Sequence, residues 1–178
     1  MTSFISNYFK KTCNYSAGRF ILEMYLLAIL IKVNLIVFIL IATIIYEPIE
    51  YFLFGETDNS ISQFDQLNWL AALLILCIIL PFIESIVGQG IPILFLSYIT
   101  SKKFLLVICS SLWFTYLHNL AFESLAYAII IFFAGIIFAW CFIAYQKKGF
   151  WKAITISTIV HSLYNFTVFI TMYFGLLF

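Results

Sequence analysis

Three residues that could carry acid–base chemistry stand alone inside long apolar runs. Glu84 lies near the end of the run that starts at Leu67, and the chain's two histidines, His118 and His161, lie in later runs. A charged side chain in lipid costs roughly 2.5–3.5 kcal/mol on insertion scales, so it usually faces the protein interior and serves a function. A carboxylate and two imidazoles can hold and deprotonate a water molecule, or can ligate a metal ion. We therefore expect Glu84, His118 and His161 to meet in one buried polar site.

The elements that must position these residues are transmembrane helices. Of the 178 residues, 65% are hydrophobic and 10% are charged, and the mean hydropathy is +1.10. Several apolar runs reach the ~18 residues that a membrane-spanning helix needs. Gly135 is a predicted close-packing point, and Lys32 is expected to face a neighbouring helix or to extend towards the headgroups. The sequence predicts an all-α polytopic bundle of about five spans, at 20–46, 67–97, 104–122, 124–145 and 151–178.

Domain layout and orientation follow from the charges. We expect a cytoplasmic or interfacial tail at 1–19 and one transmembrane domain at 20–178, whose motif-bearing core is 67–170. Basic residues cluster in the tail, at 102–103 and at 147–152, whereas the intervening loops carry only acidic charge. Because basic loops stay on the cytoplasmic side, the N-terminus is predicted inside and the C-terminus outside.

In this topology the three candidate residues share a depth. Glu84 lies about 13 residues from the inner end of its span (84 to 97), His118 about 15 (103 to 118) and His161 about 11 (150 to 161). At ~1.5 Å per residue, all three lie ~16–23 Å from the inner surface. They are predicted to occupy one slab near the middle of the membrane.

The second span is predicted to be irregular around the carboxylate. Pro81, Gly88, Gly90 and Pro92 all fall in it, and proline removes a backbone donor from a helix. We expect a kink or break after Glu84, which is tolerated at membrane depth only where it lines a cavity or is buried. Gly88 shares a helix face with Glu84, and a glycine there would let another backbone or a substrate approach.

Two further residues share helix faces with the histidines. Phe114 precedes His118 by four residues, and Asn165 follows His161 by four. Residues four apart lie on the same side of a helix. A carboxylate, two imidazoles and an amide could therefore converge on one cavity.

These motifs resemble those of the CPBP family of intramembrane proteases. The family comprises the CAAX-prenyl-protein endoproteases and bacterial relatives that include bacteriocin-immunity proteins. Its motifs are EExxxR, FxxxH and HxxxN, and this chain has serine for the second acid and glutamine for the arginine. The resemblance covers roughly residues 68–170. The matching positions are Glu84, Ser85, Gln89, Phe114, His118, His161 and Asn165.

The resemblance implies a peptide hydrolase in which the first glutamate is the catalytic base. Glu84 and His118 would then hold and deprotonate a water molecule. His161 and Asn165 would stabilise the tetrahedral oxyanion. The supporting positions are Ser85, Gln89 and Phe114.

The resemblance implies no required cofactor, whereas the donor set leaves zinc open. Glu84, His118 and His161 could supply three ligands and an open fourth position. The predicted partners are the lipid bilayer and a peptide or membrane-protein substrate, such as a prenylated tail or a bacteriocin precursor, and not nucleic acid. The bias towards Ile, Phe, Tyr and Asn is typical of AT-rich bacterial genomes, so we expect an integral protein of a bacterial cytoplasmic membrane.

Two other functions stay open at this level. A catalytically inactive relative would keep the pocket as a membrane interaction or bacteriocin-immunity protein, and the departures at Ser85 and Gln89 are the sequence feature that separates it from an active protease. A small transporter or proton-relay protein would also bury glutamate and histidine in the membrane. The absence of an internal sequence repeat argues against most secondary transporters.

Overall fold

The computed structural model describes residue 12 and residues 15–45, 68–122 and 125–173. Within these ranges the chain is helical and contains no strand. All helices except the third are long and apolar enough to cross a membrane, and the third is apolar over Lys103–His118. The predicted all-α polytopic bundle is confirmed. The helices are α1 (Ala17–Ile45), α2 (Trp69–Ser97), α3 (Lys103–Phe122), α4 (Leu125–Gln146) and α5 (Phe150–Tyr173).

Several sequence predictions fall wholly or largely outside the described residues. These are the acidic loops expected between the basic clusters, at 47–66 and near Glu123, most of the tail at 1–19 and the end of the fifth span after residue 173. The orientation of the two termini and the domain layout stay predictions.

Helix α4 forms the centre of the bundle. It carries no charged residue, and its stretch from Ile137 to Ile143 is buried throughout. It contacts α1, α3, α5 and the Ser85–Gly90 segment of α2. A helix that is apolar on every side can be buried among other helices without a charged group to satisfy, which agrees with the central position of α4.

Gly135 is the point of close approach between α3 and α4. A Cβ atom at this position would lie 3.2 Å from Phe114 Cδ1 and 3.4 Å from Ser111 Cα. Small residues at such contacts let helix backbones come together in a membrane bundle. The predicted close-packing point is therefore confirmed.

One face of α1 packs on the rest of the bundle. Phe20, Met24 and Ala28 are buried at four-residue intervals, and Lys32 continues the same stripe. The Lys32 ammonium lies 5.0 Å from the centre of the Tyr164 ring in α5, a cation–π distance. Lys32 thus faces a neighbouring helix, and no ion pair of this residue occurs in the described part of the chain.

Helix α2 is continuous but contains two π-helical segments. They span Ile75–Ile79 and Ser85–Gly90, and each ends shortly before a proline, Pro81 or Pro92. The irregularity expected after Glu84 is therefore a widened turn within one helix, not a break. In such a segment each N–H bonds to the carbonyl five residues earlier, which differs from the four-residue step of an α-helix.

The two prolines leave backbone carbonyls of α2 to be satisfied by other helices. Proline has no N–H, and the carbonyls five residues before the prolines belong to Leu76 and Val87. The Asn165 amide Nδ2 donates to the Leu76 carbonyl at 3.0 Å, and the Trp113 indole Nε1 donates to the Val87 carbonyl at 3.2 Å. Irregular backbone at membrane depth persists where neighbouring side chains satisfy the freed groups in this way.

Candidate active site

The carboxylate of Glu84 contacts both imidazoles of the chain. Its Oε2 lies 3.3 Å from His161 Nε2 and 3.6 Å from His118 Nε2. Helices α2, α3 and α5 each contribute one of the three side chains, so the cluster forms only when these helices pack together. The structure thus brings together the three residues that stand alone in the apolar runs of the sequence.

The His118 ring is oriented by its own helix. Its Nδ1 lies 2.9 Å from the Phe114 carbonyl oxygen, which can only accept a hydrogen bond, so Nδ1 carries the proton. The other ring nitrogen, Nε2, faces the Glu84 carboxylate, 3.6 Å from Oε2.

The His161 ring is buried and is held by aromatic contacts. It stacks on Phe138 of α4, with a centroid distance of 4.2 Å and an interplanar angle of 22°, and the Phe114 ring lies 5.6 Å away at 73°. One turn earlier in α5, the Ser157 hydroxyl donates to the Phe138 carbonyl at 3.1 Å. These contacts leave the imidazole little freedom to rotate away from the carboxylate.

Phe114 occupies a slot between two glycines. A Cβ at Gly88 would lie 2.6 Å from its Cδ2, and a Cβ at Gly135 would lie 3.2 Å from its Cδ1. Its ring centre is 4.2 Å from that of His118. The group that approaches Gly88 is therefore this aromatic ring, in place of the backbone or substrate that the sequence suggested. Phe114 is fully packed and supports the histidine.

A pocket of ≈ 270 Å³ reaches the carboxylate from the surface of the bundle. It lies between α2 and α3, and His161 stands behind it, outside the lining. Ile83 and Val87 at its rim are 48% and 41% exposed. The pocket is lined by Ile83, Glu84, Val87, Gly88, Phe114, Leu117 and His118.

Asn165 lies on the same face of α5 as His161 but is partly engaged elsewhere. One of the two N–H donors on its Nδ2 is used by the Leu76 carbonyl of α2, at 3.0 Å. The amide therefore links α5 to α2 and keeps a second N–H donor.

Ser85 and Gln89 are buried in the π-helical turn that follows Glu84. The Ser110 hydroxyl of α3 lies 2.6 Å from Gln89 Oε1 and 3.1 Å from the Gly88 carbonyl oxygen. Gln89 thus contributes to the contact between α2 and α3. No hydrogen bond from either residue to Glu84 appears among the described side chains.

Sequence reasoning missed two residues around the site. Phe138 stacks on His161, but it lies in an aromatic-rich span in which nothing distinguishes it from its neighbours. Ser110 was also missed, although it precedes His118 by eight residues and so falls on the same helix face.

The described residues contain no group of three or more histidine, cysteine or acidic side chains arranged to hold a metal ion. Zinc is not excluded by this observation, because the three side chains are of types that ligate it.

The described part of the chain is a helical membrane bundle with a carboxylate and two imidazoles in contact in its interior. The family description that matches residues 66–178 is "Type II CAAX prenyl endopeptidase Rce1-like", and the chain belongs to this family. No match was found among curated proteins or among solved structures. The matched region contains α2 to α5 and the whole cluster. The chain is an integral membrane protein of a CAAX-type protease family that is in general metal-independent.

Proposed function

We propose that this chain is an intramembrane endopeptidase of the CAAX-protease and bacteriocin-processing type. Glu84 activates a water molecule that hydrolyses a peptide bond in a membrane-associated substrate. The observation that carries the proposal is the position of Glu84 Oε2, 3.3 and 3.6 Å from two imidazole nitrogens, beside a pocket that opens on the bundle surface.

The reaction begins with a water molecule held between Glu84 and His118. As the water oxygen attacks the peptide carbonyl carbon, one of its protons passes to the Glu84 carboxylate. The C–N bond then breaks, and Glu84 returns the proton to the leaving nitrogen. The products are a carboxylic acid and an amine, and Glu84 ends as a carboxylate.

The tetrahedral intermediate carries a negative oxygen that needs hydrogen-bond donors. We assign this role to the His161 ring and to the second N–H of the Asn165 amide. Stacking on Phe138 holds the His161 ring in place before the substrate binds. A donor that is already oriented costs no reorganisation when the charge develops.

The substrate reaches the site from the lipid phase. The pocket opens between α2 and α3, and its rim residues Ile83 and Val87 are apolar and exposed on the outside of the bundle. A membrane-protein segment, a prenylated tail or a bacteriocin precursor would meet such an opening without leaving the bilayer. We place the protein in a bacterial cytoplasmic membrane.

A second candidate function is that of a catalytically inactive relative that binds a peptide or protein partner. The observation that favours it is the neutral pair Ser85 and Gln89, which stands where the family motif has an acid and an arginine. Both side chains are buried, and Gln89 serves the contact with α3. In this case the pocket would bind a peptide and leave it intact.

The two functions are separated by hydrolysis assays on the full chain in lipid nanodiscs. The substrates are fluorogenic peptides with and without a C-terminal prenylcysteine, together with transmembrane segments in the same bilayer. We expect E84Q to lower the rate by about 10²–10⁴-fold, the usual contribution of a general base. The matched control is E23Q, because Glu23 pairs with Arg19 on α1, away from the site.

Unchanged hydrolysis by E84Q would refute the proposed base. Binding of these peptides by the wild-type chain without any cleavage would establish the interaction function in its place.

A further inference from the structure

Five side chains of α3 form the stripe that faces α2. They are spaced at i, i+3, i+4, i+7 and i+8, which is one face of an α-helix. Residues later in α3 contact residues earlier in α2, so the two helices run antiparallel with a defined register. The residues of the stripe are Ser110, Trp113, Phe114, Leu117 and His118.

Ser110 and Trp113 of this stripe contact the turn of α2 that precedes Pro92. Val87 lies five residues before this proline, at the position whose carbonyl the missing N–H would serve in a π-helical turn, and Gly88 is the next residue. The Trp113 indole donates to the Val87 carbonyl at 3.2 Å. The Ser110 hydroxyl lies 3.1 Å from the Gly88 carbonyl oxygen and 2.6 Å from the Gln89 side-chain oxygen.

These bonds can form in only one alignment of the two helices. The three acceptors lie at one height on α2, at Val87, Gly88 and Gln89. A shift of α3 by one residue would move its side chains by ~1.5 Å along the axis and would break both contacts. The same shift would displace His118 relative to Glu84, whose nearest atoms are now 3.6 Å apart.

We propose that Ser110 and Trp113 are positioning residues that set the register of α3 on α2 and thereby the distance between His118 and Glu84. Neither residue contacts the carboxylate, so each acts through the helix that carries the histidine. The effect on hydrolysis rests on the proposed function, whereas the effect on the histidine itself does not.

The variants are S110A and W113F, each of which removes one donor to α2. The control for the first is S111A, because the adjacent Ser111 is equally buried but donates to the Val107 carbonyl of its own helix at 2.7 Å. The control for the second is W151F, the same change in an exposed indole of α5. S110T restores a hydroxyl and serves as the conservative rescue.

The first readout is hydrolysis of a cleaved peptide in nanodiscs. We expect the double variant S110A/W113F to lower kcat by about 10²-fold, the usual effect of a misplacement of ~1 Å, with little change in KM. Each single variant has a smaller effect in the same direction. S110T, S111A and W151F keep the wild-type kcat.

The second readout does not need activity. The chain has only two histidines, so labelling of histidine ring nitrogens in a chain without a histidine tag gives NMR signals from two rings. We expect the His118 signals to shift in S110A and in W113F and to stay in place in S111A and in W151F. An H161F variant, which leaves one ring, assigns the signals.

A third measurement tests whether the hydrogen bond from α3 to α2 depends on the N–H that Pro92 lacks. P92A restores a backbone N–H that can serve the Val87 or Gly88 carbonyl. W113F should therefore lower the thermal unfolding midpoint less in the P92A background than in the wild-type background. This coupling is measured from the thermal unfolding midpoints of the full chain in detergent, and it does not require hydrolysis.

The outcomes are distinct. If the wild-type chain cleaves no peptide but the His118 signals shift in S110A and W113F, the proposed protease is refuted and the positioning role is supported. An active wild-type chain in which S110A/W113F changes neither kcat nor the His118 signals would overturn the positioning role and leave the protease intact.

Discussion

Replacement of Gly88 by alanine is the sharpest test of how the site is supported. The added Cβ would lie 2.6 Å from Phe114 Cδ2, about 1 Å closer than the ≈ 3.5–4.0 Å at which carbon atoms prefer to be. The Phe114 ring must therefore move, and it is the ring that packs on His118 at a centroid distance of 4.2 Å. The perturbation reaches the histidine without changing any polar group.

The magnitude follows from two opposing terms. Forcing an extra carbon into a packed interior costs about 1–3 kcal/mol. Alanine recovers roughly 0.5–1 kcal/mol relative to glycine inside a helix. We expect G88A to be destabilised by roughly 0–2.5 kcal/mol, which leaves the chain folded. A ring shift near 1 Å would lower kcat by about 10²-fold.

Two other glycines provide a graded series for the assay. A Cβ at Gly135 would lie 3.2 Å from the opposite edge of the same ring, whereas a Cβ at Gly18 meets nothing within 4 Å. Thermal unfolding midpoints and kcat should fall in the order G18A, G135A, G88A. Because Gly135 does not line the pocket, a loss of kcat in G135A reports movement of the ring and not obstruction of the substrate.

A smaller residue at position 114 should relieve the clash. We expect the destabilisation in G88A/F114L to be less than the sum of the two single changes, since residues in contact are not additive. Wild-type kcat in G88A, or equal losses in G88A and G18A, would refute the view that Phe114 holds His118 in place.

Two further predictions concern metal dependence and Asn165. EDTA should leave hydrolysis unchanged, and a loss that added zinc restores would reassign the carboxylate and both imidazoles as metal ligands. N165A should lower the free energy of unfolding by about 1–3 kcal/mol, because it leaves the partly buried Leu76 carbonyl without the Asn165 donor. N34A, which removes an exposed amide whose hydrogen bond among the described residues is to the Leu30 carbonyl of its own helix, should stay within about 0.5 kcal/mol of wild type. Equal stability of the two variants would contradict the anchoring of α2 by α5.

The fold could be predicted because the membrane imposes one strong constraint. Backbone groups in lipid must be satisfied within the segment, so long apolar runs such as the one containing Gly135 become helices with little ambiguity. The shape of α2 could not be predicted to the same degree. Pro81 and Pro92 signal an irregular helix, but whether it breaks, kinks or widens depends on which neighbours supply donors. Those donors, Asn165 and Trp113, come from helices distant in sequence.

The residues of the candidate site that could be predicted are those whose types are rare in membrane helices. Glu84 and the two histidines stand out because lipid-embedded ionisable groups are uncommon. Phe138 and Ser110 do not stand out, because phenylalanine and serine are ordinary in membrane helices. Their contributions, a stacked ring and a hydroxyl aimed at another helix, exist only in the packed bundle.

The prolines of α2 connect the irregular backbone to the chemistry. Each helix that contributes a histidine also contributes a donor to a carbonyl that proline has freed. In α3 the donor at Trp113 lies five residues before His118, and in α5 the donor at Asn165 lies four residues after His161. Because the freed carbonyls lie on α2 on both sides of Glu84, the bonds that repair the helix also align both imidazoles with the carboxylate. A regular α2 without prolines would offer neither helix these anchoring points, and the cluster would depend on apolar packing alone.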